Sequence, residues 1–193
     1  MLRIVPNIVL NQTVNIRALG WLDGKRAETR SNFPANFQYV DLRGFTDGDL
    51  ARAIAEERDT YDYLARHNFS QLAIDEVDRN SLLSSIVPMI DFGVGAAVIA
   101  LSALGCVPVT SCRGPTLGMR PHSQPAPMIV FYARPQQVRL LMQAVIEANC
   151  QIVNNDAKLE VYADDVRKLH NFAVALGGLL PVPRTRQYPL TEL

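Results

Sequence analysis

Cysteine is scarce in this chain. Cys106, Cys112 and Cys150 are the only three among 193 residues, an odd number with no CxxC pair. That excludes the disulfide framework of a small secreted domain and suits a reducing, cytoplasmic compartment. Neither sign of charge is in excess: Lys+Arg and Asp+Glu number 19 each. Without an overall basic field, a general nucleic-acid coat role is excluded, although a local basic patch is not. No apolar run reaches the roughly 20 residues of a membrane span. The most apolar stretch, Phe92 to Val109, is interrupted by Gly93, Gly95, Gly105 and Pro108. It reads as a buried helix running into a buried strand. The first residues lack the charged and apolar regions of a signal peptide. Internal repeats and low-complexity tracts are also absent.

What is present suits one domain spanning residues 1–193, long enough to bury roughly 70% of its unfolded surface without metals or disulfides. Residues 1–44 read as a strand-rich, loop-rich N-terminal part. Its expected strands are Leu2 to Val5, Val14 to Leu19 and Phe37 to Leu42. A helix is expected from Thr46 or Asp47 to Asn68, with Leu50, Ile54 and Tyr61 on its buried face and Glu56, Glu57, Arg58 and Asp59 mainly on the other. Gln71 to Ile74 reads as a short strand, Asp75, Glu76 and Asp78 as an acidic loop, and Asn80 or Ser81 as the cap of a short helix ending before Pro88.

Residues 91–180 form the expected α/β core. Asp91 is read as the cap of a helix over Phe92 to Leu104 that Gly105 ends. Val107 to Ser111 is a strand that Pro108 places at an edge, at a strand start or beside a bulge. A loop over Cys112 to Pro127 leads to a strand at Met128 to Ala133. Pro135 then starts a helix running to about Asn149. Cys150 to Val153 and Leu159 to Tyr162 make a hairpin around Asn154-Asn155-Asp156. Asp164 or Asp165 caps a last helix that Gly177-Gly178 stops. Helices alternating with strand pairs imply an α+β fold: a mixed or mainly antiparallel sheet with helices packed on one face.

The chemistry concentrates in the loop from Cys112 to Pro127, which carries two glycines and four prolines and joins two of the most apolar strands. Ser111, Arg113, Gly114, Gly118 and Arg120 are the candidate ligand-binding residues. Two guanidinium groups beside flexible glycines suit a small anionic or nucleotide ligand. Cys112 and His122 are the candidate catalytic pair. Cys112 is a nucleophile if Arg113 or His122 lowers its pKa, and otherwise a small buried residue at a strand end. His122 is a general acid or base, or a loop histidine bonded to backbone. The pattern is neither a Walker loop nor GxGxxG. Cys106, Cys112 and His122 lack metal-ligand spacing, so no metal site is expected. Elsewhere, His67 sits near a helix end, His170 lies beside Leu169 on the last helix, and Trp21 with Asp23 and Arg26 offers a further edge for binding.

Val109-Thr110-Ser111-Cys112-Arg113-Gly114, following an apolar helix, resembles the Thr-Ser-Ser-Cys-Ser-Gly-Arg segment of the wybutosine-synthesising tRNA methyltransferase family. The order helix, Ser-Cys strand, His-bearing loop, strand and helix is similar too, over about residues 91–153. The resemblance implies S-adenosylmethionine bound near Ser111, Cys112, Gly114 and His122, and a nucleotide-like methyl acceptor. Pro115 stands where that family has a basic residue after the glycine.

Two functional classes follow. One is an enzyme acting on a nucleotide or nucleic-acid base, with S-adenosylmethionine-dependent methyl transfer as the chemistry the resemblance implies. The other is a non-catalytic accessory protein of a multi-component bacterial system that binds an anion or a protein partner. An oligomer built through strand edges is a third arrangement, compatible with the strand-rich N-terminal part.

Overall fold

The computed structural model describes residues 2–5, 11–21, 47–80, 90–117 and 124–180. The expected strand at Phe37 to Leu42, the short helix after Ser81, and Asp23 and Arg26 lie outside these residues. The architecture is α+β. Five helices are described: α1 (Asp47–Arg66), α2 (Gln71–Asn80), α3 (Gly95–Ala103), α4 (Val138–Glu147) and α5 (Val166–Leu179). The strands are β1 (Val107–Cys112), β2 (Met128–Tyr132), β3 (Gln151–Asn155) and β4 (Lys158–Tyr162). They form a four-stranded sheet in the order β1-β2-β4-β3, antiparallel throughout. No helix among the described residues is long and apolar enough to cross a membrane.

Strand alternation gives the sheet two different faces. Ile129 and Phe131 of β2, Leu159 and Val161 of β4 and Ile152 of β3 belong to the main core, with apolar residues from the helices. Met128 and Val130, with Cys112 of β1, form a smaller separate cluster against Tyr162. α3 is the centre of the helical layer. Every residue from Gly95 to Ser102 is buried, as expected of a helix that is apolar all round. Pro108 sits in edge strand β1, and the β1–β2 register shifts between Pro108 and Thr110. The proline thus falls where a missing N–H costs least.

Three helices end on the same device. In α1, α3 and α4 the residue after the cap takes a left-handed conformation: Asn68 (φ 50°), Gly105 (φ 85°) and Asn149 (φ 53°). The N–H of the residue beyond each then reaches back to a carbonyl five residues earlier: Phe69 to Leu64, Cys106 to Leu101, and Cys150 to Val145. These are Schellman motifs, placed where the sequence signals stood.

Several expectations are corrected. Gln71 to Ile74 is the start of α2 and not a strand. The Ser70 hydroxyl accepts the Ala73 N–H, and Ala73, Ile74 and Val77 are buried at helical spacing. Asp75, Glu76 and Asp78 are therefore helical residues. Val14 to Leu19 is not a strand either; it contains a 3-10 turn, Ile16–Ala18, started by the Asn15 side chain. Asp91 does not cap the following helix, which begins at Gly95 after Val94. Its carboxylate accepts the N–H of Arg113. The β3–β4 turn falls at Asp156-Ala157, because Asn154 and Asn155 still pair with Leu159 and Lys158. Gly177-Gly178 does not stop α5, which continues to Leu179. A Cβ on Gly177 would lie 3.2 Å from Leu50, so this glycine lets α1 approach α5 closely. The capping of α5 by Asp165 holds: its side chain accepts the N–H of Arg167.

The N-terminal residues brace the sheet. Leu2 bridges Leu117, and the Arg3 and Val5 N–H groups donate to the carbonyls of Thr116 and Asp164. Farther on, Ile152 N–H donates to Asn11 O, Gln12 to Cys150 O, and Asn15 N–H to the Asn154 side chain. Residues 11–15 thereby run along the edge at β3.

Candidate functional site

The β1 strand delivers Ser111 and Cys112 to its end, and the chain then turns through Arg113 and a 3-10 turn, Gly114–Thr116. Gly114 is required here. Its φ is +60°, and a Cβ would lie 2.5 Å from the Ala126 carbonyl carbon and 2.7 Å from the Pro127 nitrogen. The outgoing and returning arms of the loop touch backbone to backbone at this point. Gly118, Arg120 and His122 lie outside the described residues.

Arg113 is 3% exposed. Its two terminal nitrogens donate to the two carboxylate oxygens of Asp78 at 2.5 and 2.7 Å, a bidentate pair. Burial pulls this guanidinium's pKa down, but the bonds and charge of Asp78, with Asp91 behind it, outweigh that and hold it above its ordinary value. The Arg113 carbonyl accepts the Thr116 hydroxyl at 2.9 Å. Backbone and side chain of Arg113 thus tie β1, α2 and the residues before α3 together.

Cys112 is buried, with its sulfur 3.3 Å from the Gly114 N–H that donates to it. Burial pushes its thiol pKa up, and the Asp91 charge adds to the rise; the Gly114 N–H and the Arg113 charge oppose it without reversing it. A thiol in that state is a poor nucleophile at neutral pH. Cys106 and Cys150 are also buried free thiols, and burial raises the Cys150 pKa to about 12. Among the described residues no cluster of His, Cys, Asp or Glu is arranged to hold a metal ion.

A second polar constellation joins three helices. Glu57, placed by the sequence mainly on the polar side of α1, is 1% exposed. One carboxylate oxygen accepts the Ala96 N–H at the start of α3, at 3.0 Å; the other lies 3.0 Å from Nδ1 of His170 on α5. The Tyr61 ring meets His170 edge-on at 5.7 Å and Phe92 at 5.0 Å. Burial, with the charge of Glu57 next, raises the Tyr61 pKa well above 10. The signal was in the spacing: Glu57 stands three residues after Ile54 and four before Tyr61, inside the apolar stripe. Elsewhere, the His67 and Tyr63 rings meet at a tilt, 4.4 Å apart, and Trp21 is covered by the Arg134 guanidinium at 4.1 Å.

On the sheet face away from the helices, Val5, Gln124, Ala126, Met128, Glu160 and Tyr162 line a half-open groove of about 220 Å³. It lies directly beside the returning arm of the loop. Comparison with protein-family models, with curated proteins and with solved structures finds no match to this chain.

Proposed function

We propose that this chain is a non-catalytic binding protein, and that the Cys112–Pro127 loop is the frame of its binding surface and not a nucleophile's seat. One observation carries this reading: the two terminal nitrogens of Arg113 are spent on Asp78 inside the fold, which leaves only its buried Nε without a partner. An arginine that recognises an anionic ligand keeps its fork for that ligand. Cys112 supports the same reading, since burial holds it as the thiol. Among the described residues, a concave surface beside the loop is the groove along Met128 and Tyr162. An accessory role in a larger assembly fits such a protein.

The test measures thiol reactivity and turnover together. The native protein is treated with a thiol-specific chromogenic reagent at pH 7.5, then assayed for methyl transfer from S-adenosylmethionine to nucleosides and to tRNA. The expected result is a Cys112 that reacts only as fast as the protein unfolds, and no transfer. Rapid native modification of Cys112, or methyl transfer that Cys112→Ala abolishes, overturns the proposal in favour of the methyltransferase expectation.

A further inference from the structure

The sheet has two edges, and they differ in how they meet a further strand. β1 carries Pro108 and a register shift against β2, features that discourage one. β3 has neither. Its register with β4 runs unbroken from Gln151 to Asn155, and none of its five residues is charged. An unbroken, uncharged edge is a template for another strand. Along it lies the strap of residues 11–15.

The strap is held mainly by side chains. Ile152 N–H donates to Asn11 O at 3.0 Å, the one backbone-to-backbone bond between strap and edge. The others each use a side-chain amide. Gln12 Nε2 donates to Cys150 O at 3.0 Å, Asn15 N–H donates to Asn154 Oδ1 at 2.7 Å, and Asn154 Nδ2 donates to Asn15 O at 3.2 Å. Thr13 N–H turns back to Asn11 Oδ1 within the strap. Asn11, Gln12, Thr13 and Asn15 are exposed; of the strap residues, Val14 packs against the core. Because Ile152 N–H points out of the sheet, ladder alternation points the backbone groups of Ile152 and Asn154 outward, and those of Gln151, Val153 and Asn155 toward β4. No strap bond reaches Ile152 O or Asn154 N–H. The strap shields the edge without completing its ladder.

We propose that β3 is a self-association edge and that residues 11–15 are its displaceable cover. With the strap released, β3 of one copy pairs antiparallel with β3 of a second copy, about a two-fold axis at Val153. Self-complementarity argues for this occupant. The outward backbone groups belong to Ile152 and Asn154, one residue to either side of Val153. In the antiparallel pair Ile152 therefore faces Asn154 of the second copy, and the N–H of each meets the carbonyl of the other. The strap serves only one of those N–H groups. Val153 meets its own copy across the axis, a β-branched pair, and no charge on either strand repels its twin. The contact is isologous and closes at two copies. It goes beyond the binding-protein reading and does not rest on it, because it uses an edge of the sheet and not the groove.

Substitution at Asn154 separates the cover from the edge. Asn154→Ala and Asn154→Pro both remove the two side-chain bonds to Asn15. Only the alanine keeps the outward N–H that a second strand needs. The full chain and both variants are compared by circular dichroism for fold, and by size-exclusion chromatography with light scattering over a concentration series. Expected is a folded Asn154→Ala that dimerises at concentrations about tenfold or more below wild type, because two bonds are lost from the closed state alone. Asn154→Pro is expected to associate no more than wild type. Where Asn154→Pro fails to fold, Asn154→Ala combined with Val153→Lys takes its place, since like charges then meet across the axis, and it is expected to match wild type. An Asn154→Ala that is no more associated than wild type overturns the proposal. An Asn154→Ala that does not fold shows the strap to be integral to the fold, and overturns the displaceable cover. If Asn154→Pro or the Val153→Lys combination dimerises as readily as Asn154→Ala, the contact lies elsewhere and β3 is not the edge. Growth of Asn154→Ala beyond dimers overturns the two-fold pairing.

Discussion

On the helical side of the sheet, Ile129, Phe131, Ile152, Leu159 and Val161 are sealed against α3, α4 and α5. On the other side, Met128, Val130 and Cys112 share the surface with Gln151, Glu160 and Tyr162 around a half-open groove. Both faces come from the same residues of the same strands, taken alternately. The helical face is built for packing alone. The open face mixes apolar area with hydrogen-bonding groups, one of which, the Gln151 amide, has no hydrogen-bond partner. The comparison also separates two uses of charge. Arg113 and Asp78 neutralise each other within the fold, whereas the Glu160 carboxylate borders the groove.

The largest expected effect breaks the internal pair. Asp78→Ala leaves a guanidinium buried and unpaired, and is expected to cost about 3–5 kcal/mol in urea unfolding. Arg113→Met combined with Asp78→Leu should recover much of that loss, which a ligand-binding role for Arg113 does not predict. The two faces are compared next. Phe131→Ala is expected to cost about 3–5 kcal/mol, because its site is closed on all sides. Met128→Ala should fall near 2 kcal/mol, because water from the groove fills the space. Equal costs would erase the distinction between the faces. Gly114→Ala is expected to cost about 2 kcal/mol, from its positive φ and the clash with Ala126 and Pro127. That loss should appear in unfolding with no ligand present.

A smaller effect is read from pH. Cys150 is held as the thiol up to about 12, against an ordinary 9.0. The unfolded chain loses that proton first, so it binds fewer protons than the folded state above pH 9. Stability is therefore unaffected below pH 9 and falls as pH rises toward 12, by at most about 1.4 kcal/mol per unit from this group. The gap between the urea midpoints at pH 7.5 and pH 10 should narrow in Cys150→Ala, and the buried Cys106 thiol, also raised by desolvation, keeps part of it. Cys112→Ala, on the open face, should flatten the dependence less. The smallest change expected is Asp165→Ala, which removes the α5 cap for about 1 kcal/mol.

Helix ends, the β2 strand and the β3–β4 hairpin were legible because each depends on local signals: a left-handed Asn or Gly, a run of β-branched and aromatic residues, a short polar turn. Gly177 misled because it carries the same chemistry as Gly105 for a different reason. One ends a helix, and the other makes room for Leu50, which lies more than 120 positions earlier in the sequence. Asp78 and Glu57 looked like solvated carboxylates because their partners, Arg113 and His170, are distant in sequence. Charge density in the 112–127 loop was legible, but whether a charge faces a ligand or another residue depends on tertiary pairing. Gln151 gave no signal at all: a lone glutamine in a strand acquires meaning only when its neighbours are known.

The strap formed by residues 11–15 has a consequence for how the protein is made. Its hydrogen bonds run to residues such as Cys150 and Asn154, 138 and 139 positions further along. At ordinary synthesis rates, about 10–30 s separate the appearance of the strap from that of its partners. A segment made well before its partners is thus among the last to be seated. Until it arrives, the edge at β3 stands open to any other strand within reach. A nascent chain of this protein therefore depends on residues 11–15 to cover the β3 edge.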